Sequence, residues 1–416
     1  MDKLVINGGQ ALYGEVKIQG AKNAILPLFA AAVLTEEKVV ITNVPDLADV
    51  DNMIKILKNL GVKVERYGSC AVIDASVISD CEIPNNLAKE LRSSVFLLGS
   101  VLSRCGKAKV AYPGGCDIGL RPIDIHIKAL RDLNVDVEES KGYIFCDAKN
   151  FQSSEINLDY PSVGATENVI LCSVISEGTT VLHNAACEPE IVDLQNFLVR
   201  MGAKIEGAGT SVIKIYGVKS LHGTQYDAMP DRIVAGTYAI AVAMNGGAVR
   251  LNGARISDMR ALLSKLSKTS CNIIQDGGSI YIKSNGKPIS VPRVTTQPHP
   301  GFPTDLQAPM MALQAVSDGV SIFTENIFEN RFRHVGELIK MGADIVINGR
   351  TAVVKGVNTL TGTDVYSQDL RGGAALVLAG LKADGVTTVH GVHYIDRGYE
   401  KIEEVFRSLG ADIRRE

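Results

Sequence analysis

Hydrophobic and polar positions along the chain fall into a recurring order of two helix patterns and one strand pattern. In the first, nearly every position is apolar, over residues 24–34, 95–102, 169–175, 233–244, 306–316 and 374–381. A helix with no polar face must be enclosed by other elements. Five of these six segments run into a glycine, Gly106, Gly178, Gly246, Gly319 or Gly385, the residue that tolerates a left-handed helix end. Strand-like runs follow at once, such as Gly178-Thr-Thr-Val-Leu and Gly385-Val-Thr-Thr-Val. The second helix pattern is amphipathic, as over residues 192–201, with Leu and Phe at helical spacing.

The order repeats. Each amphipathic helix ends in a Gly-Ala-x-Ile-like step: Gly61-Val-Lys-Val, Asn134-Val-Asp-Val, Gly202-Ala-Lys-Ile, Ser270-Cys-Asn-Ile, Gly342-Ala-Asp-Ile and Gly410-Ala-Asp-Ile, spaced by 73, 68, 68, 72 and 68 residues. Six units of about 70 residues therefore fill the chain, each reading helix, strand, helix, strand, strand. The expected fold is α/β, with two domains of three units each, central helices and outer sheets. The cut is expected between Asp227 and Pro230, giving one domain over 21–229 and a second over 1–20 and 230–416. The strand read over residues 3–19 is assigned to the second by pseudo-symmetry, and the active site to the cleft between the domains.

Composition narrows the class. At 46% hydrophobic and 21% charged residues, the 416-residue chain can bury a core and is not a disordered tail. A net charge of −3 lacks the surplus of Lys and Arg that coats nucleic acid, so no nucleic-acid partner is expected. The longest uncharged stretch, 233–249, contains Asn245-Gly246-Gly247 and reads as a buried helix and turn, short of a membrane span. With no signal-like leader in the first twenty residues, a cytoplasmic protein is expected. Cys70, Cys81, Cys105, Cys116, Cys146, Cys172, Cys187 and Cys271 form no C-x-x-C pair; most are expected to be small buried residues.

The starts of the apolar helices carry the first chemical signal: Lys22, Arg92, Thr166, Arg232, Asp305 and Arg371. Four are cationic, where a base opposes the helix dipole by about 0.3–1 kcal/mol. If those ends converge, backbone N–H groups and cations together ask for a polyanionic ligand. Asp305 is the exception, either an ion-pair partner or a proton acceptor. In the second unit, Tyr112-Pro-Gly-Gly-Cys116-Asp-Ile-Gly-Leu-Arg121-Pro forms a glycine-rich loop around one cysteine. Cys116 is then either inert or, with cations nearby to favour thiolate, reactive. Arg331 and Arg397 occupy the equivalent loops of the fifth and sixth units, whereas Glu188-Pro-Glu190 places acids in the third. His126 and His334 fall on amphipathic helices and His299 and His393 in loops, none at metal-ligand spacing. No Walker A, G-x-G-x-x-G, H-E-x-x-H or G-x-S-x-G motif is present.

Gly20-Ala-Lys22-Asn23-Ala, Pro113-Gly-Gly-Cys116-Asp-Ile-Gly-Leu-Arg121-Pro-Ile-Asp124, Phe302-Pro-Thr-Asp305, Glu329-Asn-Arg331-Phe, Asp369-Leu-Arg371 and Asp396-Arg397-Gly-Tyr-Glu together resemble the enolpyruvyl transferase family over the whole chain. The cysteine loop resembles the branch acting on UDP-N-acetylglucosamine; the branch acting on shikimate 3-phosphate shares the six-unit fold and lacks that loop. The resemblance implies an inside-out α/β barrel in each domain, with phosphoenolpyruvate and UDP-N-acetylglucosamine as substrates. No cofactor or metal is implied, and the reaction would open peptidoglycan precursor synthesis. It further implies that Lys22, Arg121 and Arg397 clamp the phosphate and carboxylate of phosphoenolpyruvate, supported by Arg331 and Arg371. Cys116 would protonate C3 of phosphoenolpyruvate and could form a thioketal with it, and Asp305 would take or orient the proton of the sugar 3′-hydroxyl. Asn23 would contact the reacting centre. Arg92, the segment Arg121, Pro122, Ile123, Asp124 and Ile125, Ile327, and Ser162, Val163 and Gly164 would line the UDP-sugar site. Tyr160 departs from the pattern, where relatives commonly carry Lys. Two rival readings are a transferase for shikimate 3-phosphate and a non-catalytic UDP-sugar binder. Cys116, Asp305 and Arg397 argue against the second.

Overall fold

The computed structural model describes residues 2–90, 95–112 and 123–416. Six helices that are buried along most of their length organise these residues: α1 (Lys22–Ala32), α2 (Leu97–Cys105), α3 (Val163–Ser173), α4 (Arg232–Asn245), α5 (Gln307–Ala315) and α6 (Leu370–Lys382). The described residues also form six four-stranded sheets, one for each helix. The sequence expectation of six units with apolar central helices is met.

Two compact bodies result. One holds residues 20–112 and 123–229, with α1 to α3 and three sheets around a single apolar core. The other holds residues 2–19 and 230–416, with α4 to α6, three sheets and a second core. Each is an inside-out α/β barrel: helices at the centre, sheets outside. Placing the all-apolar helices inside follows from their burial demand, since α4 alone buries every residue from Ile233 to Met244.

Each sheet shows the same strand order, led by a strand that the repeat of helix, strand, helix, strand, strand does not include. A short leading strand runs parallel to the strand that follows the central helix, as Glu82–Ile83 does beside Lys107–Ala111 and Asp364–Tyr366 beside Val386–His390. These leading strands are mostly two or three residues, too short to display a period of two, and several read polar-apolar-polar like a loop. The single strand expected over 3–19 is in fact two. Leu12–Lys17 leads the sheet of α4, parallel to Gly247–Asn252. Leu4–Asn7 sits in the sheet of α6 between Val386–His390 and Asp412–Arg415, so the two ends of the chain close one sheet.

The repeat signature has a conformational cause. All six of its lead residues adopt positive φ: Gly61 91°, Asn134 57°, Gly202 99°, Ser270 71°, Gly342 97° and Gly410 96°. In five of the six the next residue's N–H returns to a carbonyl five residues back, as Val62 to Leu57 at 3.0 Å and Ala203 to Leu198 at 2.9 Å. This is the Schellman closure of a helix, and it explains why Gly or Asn recurs there. At the ends of the central helices, by contrast, only Gly106 is itself a left-handed cap. Gly178, Gly319 and Gly385 have positive φ but lie beyond the helix, in the turn into the strand.

Candidate active site

In the C-terminal body the starts of α5 and α6 meet. Asp305 lies in the 3-10 turn Thr304–Leu306 that leads into α5. Arg371 is the second residue of α6, whose first turn is capped by Asp369 accepting from the N–H groups of Arg371 and Gly372, both at 2.9 Å. Arg331 follows the strand Val320–Thr324. Asp305 Oδ1 accepts from Arg331 Nη2 at 3.0 Å and from Arg371 Nε at 3.1 Å. Both guanidinium side chains are only 4% exposed, so their charges are tolerable only because a carboxylate faces them. Burial works against the charge on Arg371; Asp305, with Tyr399 and Asp231, more than offsets it and raises its pKa. Asp305 is thus the ion-pair partner of two arginines that the sequence reading left among its alternatives.

Residues outside the sequence reading hold this centre. Glu325, 1% exposed, accepts from Thr304 Oγ1 with both carboxylate oxygens and from the N–H groups of Ile327 and Phe328 at 2.9 and 3.1 Å. It therefore fixes Ile327 and the turn bearing Asp305 together. His334 is buried beside Arg331 and Asp369. Burial pushes its pKa down to about 4, with the Asp369 charge and a hydrogen bond to the Arg331 backbone opposing and the Arg331 charge assisting. Arg397 sits half-buried on a turn held from two sides. Asp396 takes a bidentate pair from Arg415 at 2.7 and 2.9 Å, and the Gln19 amide bonds the backbone of Gly398 and Glu400. His393 belongs to the short helix Val392–Ile395, not to a loop.

In the N-terminal body Lys22 is the first residue of α1, and its Nζ lies 3.1 Å from Asp49 Oδ2, with side chains 13% and 4% exposed. Asn23 follows, half-buried. The sequence reading started the third central helix at Thr166. It starts at Val163, capped by Ser162, whose hydroxyl accepts from the Ala165 N–H. The misplacement has a physical reason: Thr166, Glu167 and Asn168 are polar yet fully enclosed. Thr166 Oγ1 accepts from the Ala186 N–H, so Thr166 serves packing. Asn168 accepts from the Gly99 N–H and donates to Val95 O and to Nδ1 of His126, which burial holds neutral with a pKa lowered to about 4. His126 in turn borders Gly164, where an added Cβ would come within 2.8 Å of the ring. Ser162, Val163 and Gly164 are therefore tied through His126 to the helix that follows Ile123, whose first residues are Asp124 and Ile125.

Arg92, Cys116, Arg121 and Pro122 lie outside the described residues. Of the other cysteines, only Cys146, Cys172 and Cys271 are buried; Cys70, Cys81 and Cys187 are half-buried and Cys105 is exposed. The expectation of mostly buried thiols therefore fails. Among the described residues no cluster of three or more His, Cys, Asp or Glu is poised to hold a metal ion. No described helix is long and apolar enough to cross a membrane.

Comparison with known proteins places this geometry in context. The family model described as EPSP synthase (3-phosphoshikimate 1-carboxyvinyltransferase) matches residues 6–406. A protein named UDP-N-acetylglucosamine 1-carboxyvinyltransferase 2, from Caldanaerobacter subterraneus subsp. tengcongensis, is 52% identical, the match covering all of both chains. One named UDP-N-acetylglucosamine 1-carboxyvinyltransferase, from Geobacter metallireducens, is 46% identical over 100% of this chain and 99% of its own. The crystal structure of the enolpyruvyl transferase NikO from Streptomyces tendae superposes with a TM-score of 0.90 at 26% identity, covering 100% of this chain and 98% of that one.

Proposed function

The chain belongs to the EPSP synthase family of enolpyruvyl transferases, and from that premise we propose that it transfers the enolpyruvyl group of phosphoenolpyruvate to the 3′-hydroxyl of UDP-N-acetylglucosamine, the first committed step of peptidoglycan precursor synthesis. The observation that carries the choice of acceptor is full-length identity of 46–52% to relatives named for that activity.

The reaction asks the protein to manage charge and two protons. The sugar hydroxyl oxygen bonds to C2 of phosphoenolpyruvate while its proton passes to Asp305, which takes it or orients it. Cys116 delivers a proton to C3. The tetrahedral adduct then breaks its C2–O bond to phosphate, which leaves with the electron pair, and loss of a C3 proton restores the double bond. Lys22, Arg121 and Arg397 hold the phosphate and carboxylate, supported by Arg331 and Arg371. Fixed cations placed where negative charge develops are usually the largest part of such catalysis. The geometry in favour of this role is the Asp305 centre, since a carboxylate anchored by two buried guanidinium groups is held in one place and needs no reorganisation as the reaction proceeds. Asn23 contacts the reacting centre. Arg92, Arg121, Pro122, Ile123, Asp124, Ile125, Ser162, Val163, Gly164 and Ile327 line the UDP-sugar site, and the shared tie through His126 and Asn168 supports grouping the 123–125 and 162–164 segments. The protein acts in the cytoplasm.

Phosphate release measured with phosphoenolpyruvate and either UDP-N-acetylglucosamine or shikimate 3-phosphate tests the acceptor. Turnover with the first alone is expected, and turnover with the second alone would overturn the reading. Cys116→Ala is expected to abolish turnover while UDP-N-acetylglucosamine still binds by calorimetry. Retained turnover would remove the thiol from the mechanism.

A further inference from the structure

Arg371 is held at a second point, and the groups that hold it form a chain whose direction is set by counting hydrogens. Arg371 Nη1 donates to the Tyr399 hydroxyl at 3.4 Å. That hydroxyl lies 2.8 Å from Thr237 Oγ1, which in turn donates to the Ile233 carbonyl one turn back in α4 at 2.9 Å. Thr237 has a single hydroxyl hydrogen and spends it on Ile233, so toward Tyr399 it accepts. Tyr399 therefore gives its phenolic hydrogen to Thr237 and offers its oxygen to Arg371. Thr237 and Tyr399 are fully enclosed and Arg371 is 4% exposed, so each group would be costly to leave unpaired. Burial raises the Tyr399 pKa, which keeps the hydroxyl protonated and able to donate. The ring also lies under the guanidinium, 5.7 Å from its carbon to the ring centre.

The consequence falls on orientation. A planar guanidinium fixed at Nε by Asp305 and at Nη1 by Tyr399 cannot turn about its Cδ–Nε bond without losing one of the two. Each contact comes from a different element: Asp305 from the turn before α5, and Tyr399 from the turn after the short helix Val392–Ile395, braced by α4. Neither Tyr399 nor Thr237 reaches beyond Arg371 in this chain of bonds, so their action on the reaction is through Arg371.

Resting on the proposed function, we propose that Tyr399, braced by Thr237, is a positioning residue that aims Arg371 at the anionic donor substrate while keeping Asp305 in register. Tyr399→Phe keeps the ring under Arg371 and removes only the hydroxyl. Thr237→Val removes the acceptor that orients that hydroxyl, and Thr237→Ser keeps it.

Binding of radiolabelled phosphoenolpyruvate is read by equilibrium dialysis, which needs neither turnover nor a correct acceptor, with steady-state KM measured beside it. Tyr399→Phe is expected to weaken phosphoenolpyruvate binding about tenfold, with KM for UDP-N-acetylglucosamine within about twofold of wild type. Thr237→Val is expected to reproduce the loss, Thr237→Ser to restore most of it, and the double variant Tyr399→Phe/Thr237→Val to bind no worse than either single, because both break one chain. A fall in kcat that merely tracks the folded fraction, with phosphoenolpyruvate affinity unchanged in both single variants, would overturn the proposal. So would losses that multiply in the double variant. A wild type that ignores UDP-N-acetylglucosamine yet binds phosphoenolpyruvate would instead overturn the acceptor assignment and leave the dialysis comparison readable. Should Tyr399→Phe fail to fold, the Val and Ser pair at Thr237 decides.

Discussion

At the start of α6 in the C-terminal body, a buried arginine faces a carboxylate that it shares with a second buried arginine; at the start of α1 in the N-terminal body, Lys22 pairs with Asp49. The helix ends are equivalent in the repeat, yet their charges are closed by different means. Asp305 belongs to the neighbouring central helix start, so the C-terminal pair locks two units together. Asp49 comes from the first turn of the amphipathic helix Ala48–Asn59 within the same unit as Lys22. The third start of the N-terminal body departs further, since Ser162 caps it without charge and Glu167 lies buried with no hydrogen-bond partner for either oxygen among the described residues. One architecture thus supplies a carboxylate shared between two units in one body and a pair within one unit in the other.

The comparison breaks most visibly at the two carboxylates. Asp305→Ala removes the proposed proton acceptor and the carboxylate that Arg331 and Arg371 share, so kcat is expected to fall about 10²–10⁴-fold. Stability is expected to drop by about 3 kcal/mol, the lower end for losing one partner of a buried pair, because the Asp305 side chain is 31% exposed. Asp49→Ala removes the carboxylate beside Lys22 and is expected to cost a similar stability, up to about 3 kcal/mol, but to lower kcat less than tenfold. Thermal melts and steady-state kinetics on the two variants separate these outcomes. Equal kinetic losses would mean that the two helix starts are functionally alike and that the contrast is only one of packing.

The part of this contrast that was legible in the sequence is the repeat. All-apolar helices announce burial, and a left-handed residue every unit announces the turn after the amphipathic helix, with Asn134 and Ser270 filling the place of glycine. The cationic starts at Lys22, Arg232 and Arg371 were legible for the same reason, as departures from a rule about helix dipoles. Asp305, the partner of Arg371, was legible as an alternative, whereas Asp49, the partner of Lys22, and Glu325, which braces the turn of Asp305, were not. Asp49 in the first turn of a helix looks like an ordinary dipole complement, and Glu325 sits between a strand and a turn with no spacing to mark it. Thr166-Glu167-Asn168 reads as a polar boundary because enclosure by neighbouring helices is a tertiary fact that local periodicity does not encode.

Glu167 offers the finest test of the contrast, because its effect should appear only as a slope. Its carboxyl is fully enclosed, and burial first, then the negative charges of Glu190 and Glu188, hold its pKa well above the ordinary value. In the unfolded chain a glutamate releases its proton near pH 4.3, so between there and the raised folded value the folded state binds one proton more. Stability must then fall as pH rises across that window, by about 1.4 kcal/mol per pH unit from this one group. Glu167→Gln keeps the shape and cannot titrate. Its melting temperature is therefore expected to stand closest to wild type near about pH 5 and to gain on wild type as pH rises, until the raised folded pKa is passed. In the C-terminal body the helix-start carboxylate instead faces two arginines. A difference between variant and wild type that stays flat over that range would mean that Glu167 is charged and compensated in the fold, and the two bodies would then differ in the number of partners at their helix starts and not in whether those charges are balanced.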